Sequence, residues 1–573
     1  MTRSLKLFAV AVLAVVLALS SVQSTFAATE LVYDNGTWGG AGVLRPSNGV
    51  PFIGGAVTPF VLNIDLRTLV GGASGEPSVL VSKGPFSTPI VSFDGIDGIT
   101  SSAPVPDTNG AVGPRHYIQS VNGKFAIFDK TGTMLLNPLA YFKLWEAAQT
   151  GDECQNANVD PIVLYDHLAD RWLISATAFT NECIAISRTP DPIAGGWFLY
   201  NFPCPDTVCD YSKVGVWPDA YYMGTHWSPP PGLAWAFDRA NMLLGNPAVF
   251  IHFGYSTPPS FNTFMLPSDL KGSPPPAGAP NVFLRFVDGD DPIQGLGGVD
   301  RLELSEFHVD FSNPLLSTFT ALPDLPTASF DSNVCGDWST RVCITQPGTT
   351  QKVDSKSEMP MYPLVYRNFG TYETLIVSHA VRVAFGLHST VGIRWYELRK
   401  VGGVWSIFQQ GDYSPDATNR WMGSMSMDKA GNIALGYSVS SDTVFPGIRY
   451  TGRLQSDPVG TMPQGEFTLI VGGSSQTSSE RWGDYSAMQV DPVDGCTFWY
   501  TNQYYSANYV GWRTRIAAFR FSECGIASIN PNPVGGVIEP VNTLTVYAPY
   551  LVLFGLVATV AIVVVKSWKK RET

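Results

Sequence analysis

An all-β protein is what this chain predicts, and three observations predict it: few charges, many aromatic residues, and a strand-and-turn repeat that runs along most of its length. Charged residues make up 15% of the 573 positions and aromatic residues 12%. That is too apolar for a disordered chain, a coiled coil or a polar linker. Gly 55 and Pro 43 provide the punctuation of many short strands joined by tight turns.

The repeat is an alternating strand, often followed by an Asp-Pro or Asn-Pro turn. Its copies are Phe125-Ala126-Ile127-Phe128-Asp129, Ile184-Ala185-Ile186-Ser187, Ala234-Trp235-Ala236-Phe237-Asp238 and Glu306-Phe307-His308-Val309-Asp310, then Arg394-Trp395-Tyr396-Glu397-Leu398, Arg449-Tyr450-Thr451-Gly452-Arg453 and Ile516-Ala517-Ala518-Phe519-Arg520. Phe128 and Phe519 are six intervals apart, roughly 65 residues each, a period that suits a four-stranded propeller blade with loop insertions. A hairpin precedes several copies. In one, Asp428-Lys429-Ala430-Gly431-Asn432 leads into Ile433, Leu435, Tyr437 and Val439 on one face, with Ala434, Gly436 and Ser438 on the other. Asp491 to Tyr500 repeats the spacing of Asp428 to Tyr437, and Asp166 to Ser175 is a third version. The expectation is a β-propeller of seven blades, with six or eight as the neighbouring counts, plus one C-terminal transmembrane helix.

The ends of the chain indicate its compartment. Residues 1–28 carry Arg3 and Lys6, an apolar run from Leu7 to Leu19 and small residues near Ala27, the pattern of a secretory signal peptide. Residues 546–565 hold no charge and are long enough, at about 1.5 Å per residue, to cross a bilayer core. Lys566, Lys569, Lys570 and Arg571 follow in the tail 566–573, and the positive-inside rule keeps them cytoplasmic. The expected localisation is therefore the cell membrane, single-pass, with the ectodomain outside; the alternative is a C-terminal sorting tail exchanged for another anchor. Between the ends, residues 29–98 form an N-terminal β segment that either closes the ring or lies over one face, 99–525 the propeller, and 526–545 a Pro/Gly stalk. Without the six basic residues and one glutamate of the two ends, the net charge moves from −12 to near −17. Such a surface repels phosphate backbones, so nucleic acid is not an expected partner.

Eight cysteines, an even number in an exported chain, favour disulfides. Sequence order pairs Cys154 with Cys183, Cys204 with Cys209, Cys335 with Cys343, and Cys496 with Cys524. No Cys-x-x-Cys spacing points to zinc.

Three phrases carry a resemblance: Asp107-Thr108-Asn109-Gly110-Ala111-Val112-Gly113-Pro114, Trp217-Pro218-Asp219-Ala220-Tyr221-Tyr222, and Arg481-Trp482-Gly483-Asp484-Tyr485-Ser486. With them the chain, from about residue 90 to 525, resembles a largely uncharacterised family of secreted and surface proteins of prokaryotes. It is more distantly similar to the sialidase-like, Asp-box propellers. Ser426-Met427-Asp428-Lys429-Ala430-Gly431 departs from the Asp-box pattern by one extra residue before the glycine and by having no tryptophan after it. The resemblance implies a propeller and does not carry sialidase activity.

Candidate chemistry is sparse. Arg171, Arg420 and Arg481, each followed by tryptophan, lie in three different blades and are candidates for a carboxylate clamp of the kind sialidases use. Asp484 is then the candidate acid and base, and Tyr485 the nucleophile. The bland alternative is that the Arg-Trp pairs pack blades together. Asp288, Asp290 and Asp291 are the candidate calcium ligands, with Asp107 to Gly110 as a second acidic loop; no other cofactor is expected. Trp217, Tyr221, Tyr222 and Trp227 suggest an aromatic platform for a surface glycan or a protein partner. No His-Glu-x-x-His, Gly-x-Ser-x-Gly, P-loop or dinucleotide fingerprint occurs. The expected function is a membrane-anchored extracellular module for binding, adhesion or structure, more binding module than enzyme; the alternative is a sialidase-like glycoside hydrolase.

Overall fold

The structure, a computed structural model, describes residues 51–70, 86, 88–204, 208–226, 232–255, 264–292, 297–385, 388–507 and 511–525. All belong to the unit Leu44–Thr573. The expected signal peptide, stalk, membrane span and basic tail lie outside these residues, as does Trp227. Among the described residues no helix is long and apolar enough to cross a membrane.

The protein is all-β, built from successive sheets that are antiparallel except where Leu266–Lys271 pairs in parallel with Met361–Asn368 and joins two of them into one nine-stranded sheet. Each sheet opens with one strand that faces the centre: β1 (Asn109–Val112), β2 (Val159–Asp166), β3 (Asp210–Val216), β4 (Leu266–Lys271), β5 (Met361–Asn368), β6 (Asn419–Met427) and β7 (Ala487–Val490). After each, the chain runs outward strand by strand, as in β6 followed by Ile433–Ser440, Gly447–Arg453 and Glu466–Ile470. β1 packs on β2, β2 on β3 and so on to β7, which packs back on β1. That closed ring of radial sheets is a β-propeller. All seven repeat copies read from the sequence fall in the third strand of their sheet, from Lys124–Asp129 to Arg513–Phe519.

The ring is closed by joining the two ends of the propeller. Val91–Asp94 pairs antiparallel with Arg513–Phe519 and becomes the outer strand of the sheet that β7 begins. The N-terminal segment does more than close the ring, because Phe60–Leu62 and Phe52–Ile53 add edge strands to the sheets of β2 and β3. Polar side chains tie the inner strands together. Val163 N–H donates to Asn109 Oδ1 (3.0 Å), Tyr362 Oη to Val214 O (3.0 Å), Ser424 Oγ to Tyr362 O and Ser486 Oγ to Met422 O (both 2.9 Å).

Neighbouring sheets pack large residues against small ones. Ile433, Leu435, Tyr437 and Val439 share a core with Val365, Ile376, Ile393 and Trp395 of the preceding sheet. On the opposite face, a Cβ at Gly436 would lie 2.4 Å from Cε1 of Tyr500 in the following sheet. A side chain there must displace a fully buried ring, and overpacking of this kind costs about 1–3 kcal/mol. Gly436→Val is therefore expected to lower the unfolding free energy by that amount, seen as a lower denaturant midpoint; an unchanged midpoint would show that the sheets separate easily.

All four disulfides expected from sequence order form: Cys154–Cys183, Cys204–Cys209, Cys335–Cys343 and Cys496–Cys524. The described residues contain no free cysteine. Cys496–Cys524 fastens the chain just beyond Arg513–Phe519, the strand on which closure depends, to the turn after β7.

Candidate functional site

The inner strands begin at one end of the channel, and the backbone there is unusual. Asp107, Asp160, Tyr211, Lys356 and Met422 all have positive φ, between 45° and 55°, although none is glycine. Three of these coincide with register shifts in β2, β3 and β6. A left-handed residue inside a bulge re-aims its side chain and stores roughly 1–3 kcal/mol of strain, which such sites hold only when the surroundings over-determine them.

Four of the five carry chemistry, and they gather around Asp484. The Asp484 main-chain N–H donates to Asp107 Oδ1 (2.7 Å), and Asn122 Nδ2 donates to Asp107 Oδ2 (2.6 Å). Asn122 Oδ1 in turn accepts from Asp160 N–H (3.0 Å), and Asp160 Oδ2 accepts from Tyr211 N–H (3.2 Å). Lys356 Nζ lies 2.9 Å from Asp484 Oδ2 and 3.7 Å from Glu358, and Arg481 contacts Asp484 Oδ1 at 3.3 Å. Arg341 pairs with Glu358 and with Asp354. Lys213 is fully buried, its Nζ 3.6 Å from the ring centre of Tyr211 and 3.9 Å from that of Tyr485. Beyond it, Glu182 accepts hydrogen bonds from Ser175 and Ser212. Tyr211 Oη is buried and has no hydrogen-bond partner among the described residues.

Burial and charge drive the two adjoining carboxyls in opposite directions. Burial, reinforced by the Asp484 charge, pushes Asp107 up to about 6. Burial also works on Asp484, but the Lys356 and Arg481 cations outweigh it and hold that carboxyl below its ordinary value. Burial raises Asp160 well above the carboxylate range despite Lys213. It brings Lys213 down to about 8 against the pull of Asp160, Asp107 and Asp484, and lifts Glu182 to about 7. A carboxyl that keeps its proton up to about pH 6 beside one that ionises more readily than usual is the arrangement that acid–base chemistry needs.

Of the residues expected to form a clamp, only Arg481 reaches this cluster. Arg171 opens the strand after β2 and pairs across it with Asp166, at the opposite end of β2 from Asp160; its Nη1 donates to Ala169 O and Asp170 O of its own turn. Arg420 is buried against Glu466 (2.7 and 3.1 Å) and Asp416 (3.0 Å). The clamp does not form because these guanidiniums are already engaged within their own sheets. The tryptophans follow the packing alternative: Trp421 and Trp482 meet with ring centres 5.3 Å apart between adjacent sheets. Tyr485 is in the cluster but is no nucleophile. Its hydroxyl donates to Pro161 O (3.2 Å), and burial raises its pKa far above the ordinary value.

Two other expectations are corrected. Trp217, Tyr221 and Tyr222 form no exposed platform, being 1%, 0% and 0% exposed. Trp217 Nε1 donates to Ala279 O, Tyr221 Oη to Asp166 and Tyr222 Oη to Asp219. Asp288 Oδ2 accepts from the Ser332 N–H and hydroxyl, and Oδ1 from Asp290 N–H. Asp288, Asp290 and Asp291 do not converge, and among the described residues no three His, Cys, Asp or Glu side chains are grouped to hold a metal ion. Sequence reasoning missed Asp160, Lys213 and Lys356, which stand in no motif. It did single out Asp107 and Asp484, in two of the phrases that carry the family resemblance, without linking them.

No protein-family model matches the chain, and no curated protein matches it. Similar solved structures include the polysaccharide lyase Uly1 (9% identity, 83% of this chain and 100% of that one, TM-score 0.36). The extracellular domains 1-2 of Drosophila Semaphorin 1b follow at 7% identity, 78% and 88% coverage and TM-score 0.34. An endo-arabinase from Bacteroides thetaiotaomicron gives 11% identity, 53% and 95% coverage and TM-score 0.25. Likenesses this weak carry nothing about activity.

Proposed function

We propose that the protein is a carbohydrate-active propeller that hydrolyses glycosidic bonds at the mouth of its channel. The observation that carries this reading is the Asp107–Asp484 pair, joined through the Asp484 N–H, with the Asp107 carboxyl pushed up to about 6 and the Asp484 carboxyl held below its ordinary value. Asp107 donates its proton to the leaving oxygen as the glycosidic bond breaks, the Asp484 carboxylate stabilises the positive charge that develops at the anomeric carbon, and water adds to that carbon while its proton returns to Asp107. Lys356 and Arg481 favour the ionised form of Asp484. At the rim the side chains of Arg481 and Arg341, 53% and 40% exposed, favour a glycan that bears carboxylates.

The protonation states set the pH range. Asp107 carries its proton up to about pH 6, so turnover declines as pH rises through that value. Asp484, held low, stays ionised well into acid. Activity is expected in the mildly acidic range with an alkaline limb near pH 6. The test is to incubate the full-length protein with a panel of neutral and acidic glycans and measure new reducing ends. Binding without any new reducing end would reject hydrolysis and restore the binding-module reading.

Seven blades accompany this proposal, a count that the closed ring of β1 to β7 supports. So does an extracellular setting, since four disulfides form and persist in oxidising compartments. Export by residues 1–28 and anchoring by 546–565, with the stalk between, belong to the same proposal.

A further inference from the structure

At the other end of the channel, where the inner strands finish, lies a cavity with about 70 Å³ of water-accessible space. At roughly 10–15 Å³ for each water position, that holds several waters or one small polyatomic ion. Its lining includes Lys271 at the end of β4, Arg367 near the end of β5, Gln489 on β7, and His167 and Asp491 just beyond β2 and β7.

One cation on its wall, among the described residues, has no carboxylate in contact. Lys271 Nζ is paired with Asp269 at 2.7 Å, and Asp491 with Lys130 at 2.7 Å. His167 Nε2 is 2.7 Å from Gly272 O, and burial lowers its pKa, so the ring is neutral near pH 7. Arg367 remains. It is 6% exposed, donates through Nε to Met427 O (3.2 Å), and makes no ion pair among the described residues. The nearby Asp428 acts on it only through space, its carboxylate accepting from Ala430 N–H, Asn432 N–H and Asn432 Nδ2. Burial outweighs that help and lowers the Arg367 pKa to about 10. Gly272, with φ of 77°, leaves room for the guanidinium: a Cβ there would lie 2.6 Å from Arg367 Nη1. On the same lining, Gln489 is 3% exposed and its Nε2 has no hydrogen-bond partner among the described residues.

A buried guanidinium with no carboxylate in contact, together with an unsatisfied amide donor on one cavity wall, is costly unless a further acceptor completes it. We propose that this cavity is a binding site for a small monovalent carboxylate, held by the Arg367 guanidinium and Gln489 Nε2 with Lys271 alongside. A planar carboxylate matches the fork of a guanidinium. The site stands at the opposite strand ends from Asp107 and is independent of the cleavage reading.

Acetate is the probe. The full-length protein is titrated with acetate at constant ionic strength, balanced by chloride, and Tm is followed as ligand linkage raises it. A saturable rise is expected. Arg367→Gln should abolish it, and Gln489→Leu, which removes only a neutral amide, should weaken the apparent affinity about tenfold. If Arg367→Gln does not fold, Gln489→Leu carries the test alone. The proposal is overturned by the absence of a saturable rise, by an affinity unchanged in Gln489→Leu, or by chloride saturating the site as tightly as acetate.

Discussion

Asp107→Asn is expected to lower kcat on a cleaved glycan by about 10²–10⁴-fold with little change in KM, the usual contribution of a positioned general acid. The substitution removes the transferable proton and retains the acceptor for the Asp484 N–H. It also carries a structural cost. Asn122 Nδ2 donates to one oxygen of Asp107 while Asn122 Oδ1 accepts from Asp160 N–H, so an amide at 107 sets two donors against each other. A donor left unpaired there costs about 1–3 kcal/mol, so a lower Tm alone would not identify a catalytic role. The deciding readout is the pH profile. Residual turnover in Asp107→Asn should lose the alkaline limb near pH 6, because the group that produces it is gone. A variant that keeps both its turnover and that limb would remove Asp107 from the reaction.

The second large effect concerns a residue outside the site. Glu466→Gln should destabilise the protein by about 1.5–3 kcal/mol, the usual worth of hydrogen bonds to a charged group, because Arg420 keeps its bond to Asp416 (3.0 Å). Arg420 is 0% exposed and makes two bonds to Glu466, which also pairs with Arg449 and accepts from Tyr437 Oη. Burial raises the Glu466 pKa, but the Arg420 bonds outweigh it and the net shift is downward. A folded-state pKa below the unfolded one means that this stabilisation is complete above the ordinary glutamate range and is lost as pH falls from there through the lower folded-state value. Guanidinium unfolding at pH 7 and pH 4 should therefore show the gap between Glu466→Gln and the parent protein narrowing in acid. Turnover of the folded fraction should be unchanged. A variant with normal stability and depressed kcat would return Arg420 to the catalytic machinery.

The candidate site shows why a chain can be readable in fold and opaque in chemistry. Asp484 and Tyr485 were legible because they stand side by side in one phrase with Arg481. Their roles were not. The sequence suggested the Tyr485 hydroxyl as nucleophile, whereas burial and the Pro161 carbonyl leave only its ring to act, against the Lys213 ammonium. Trp217, Tyr221 and Tyr222 misled for a related reason. In a ring of sheets both faces of a sheet are covered by neighbours, so aromatic density marks packing as readily as a surface.

What the sequence determined by itself are the properties set by local sterics and order along the chain. Period-two alternation and Asp-centred turns specified the strands, and the repeat specified how often the hairpin recurs. Nearest-neighbour order paired all eight cysteines correctly. The tertiary structure alone decided which charged groups meet. Asp107 and Asp484 are 377 residues apart and come together because Val91–Asp94 pairs with Arg513–Phe519, bringing β7 back against β1. The protonation states follow from that closure, since burial and the charges that face each group exist only once the ring is complete. Local patterning is encoded residue by residue, while the chemistry arises where strands from distant parts of the chain converge.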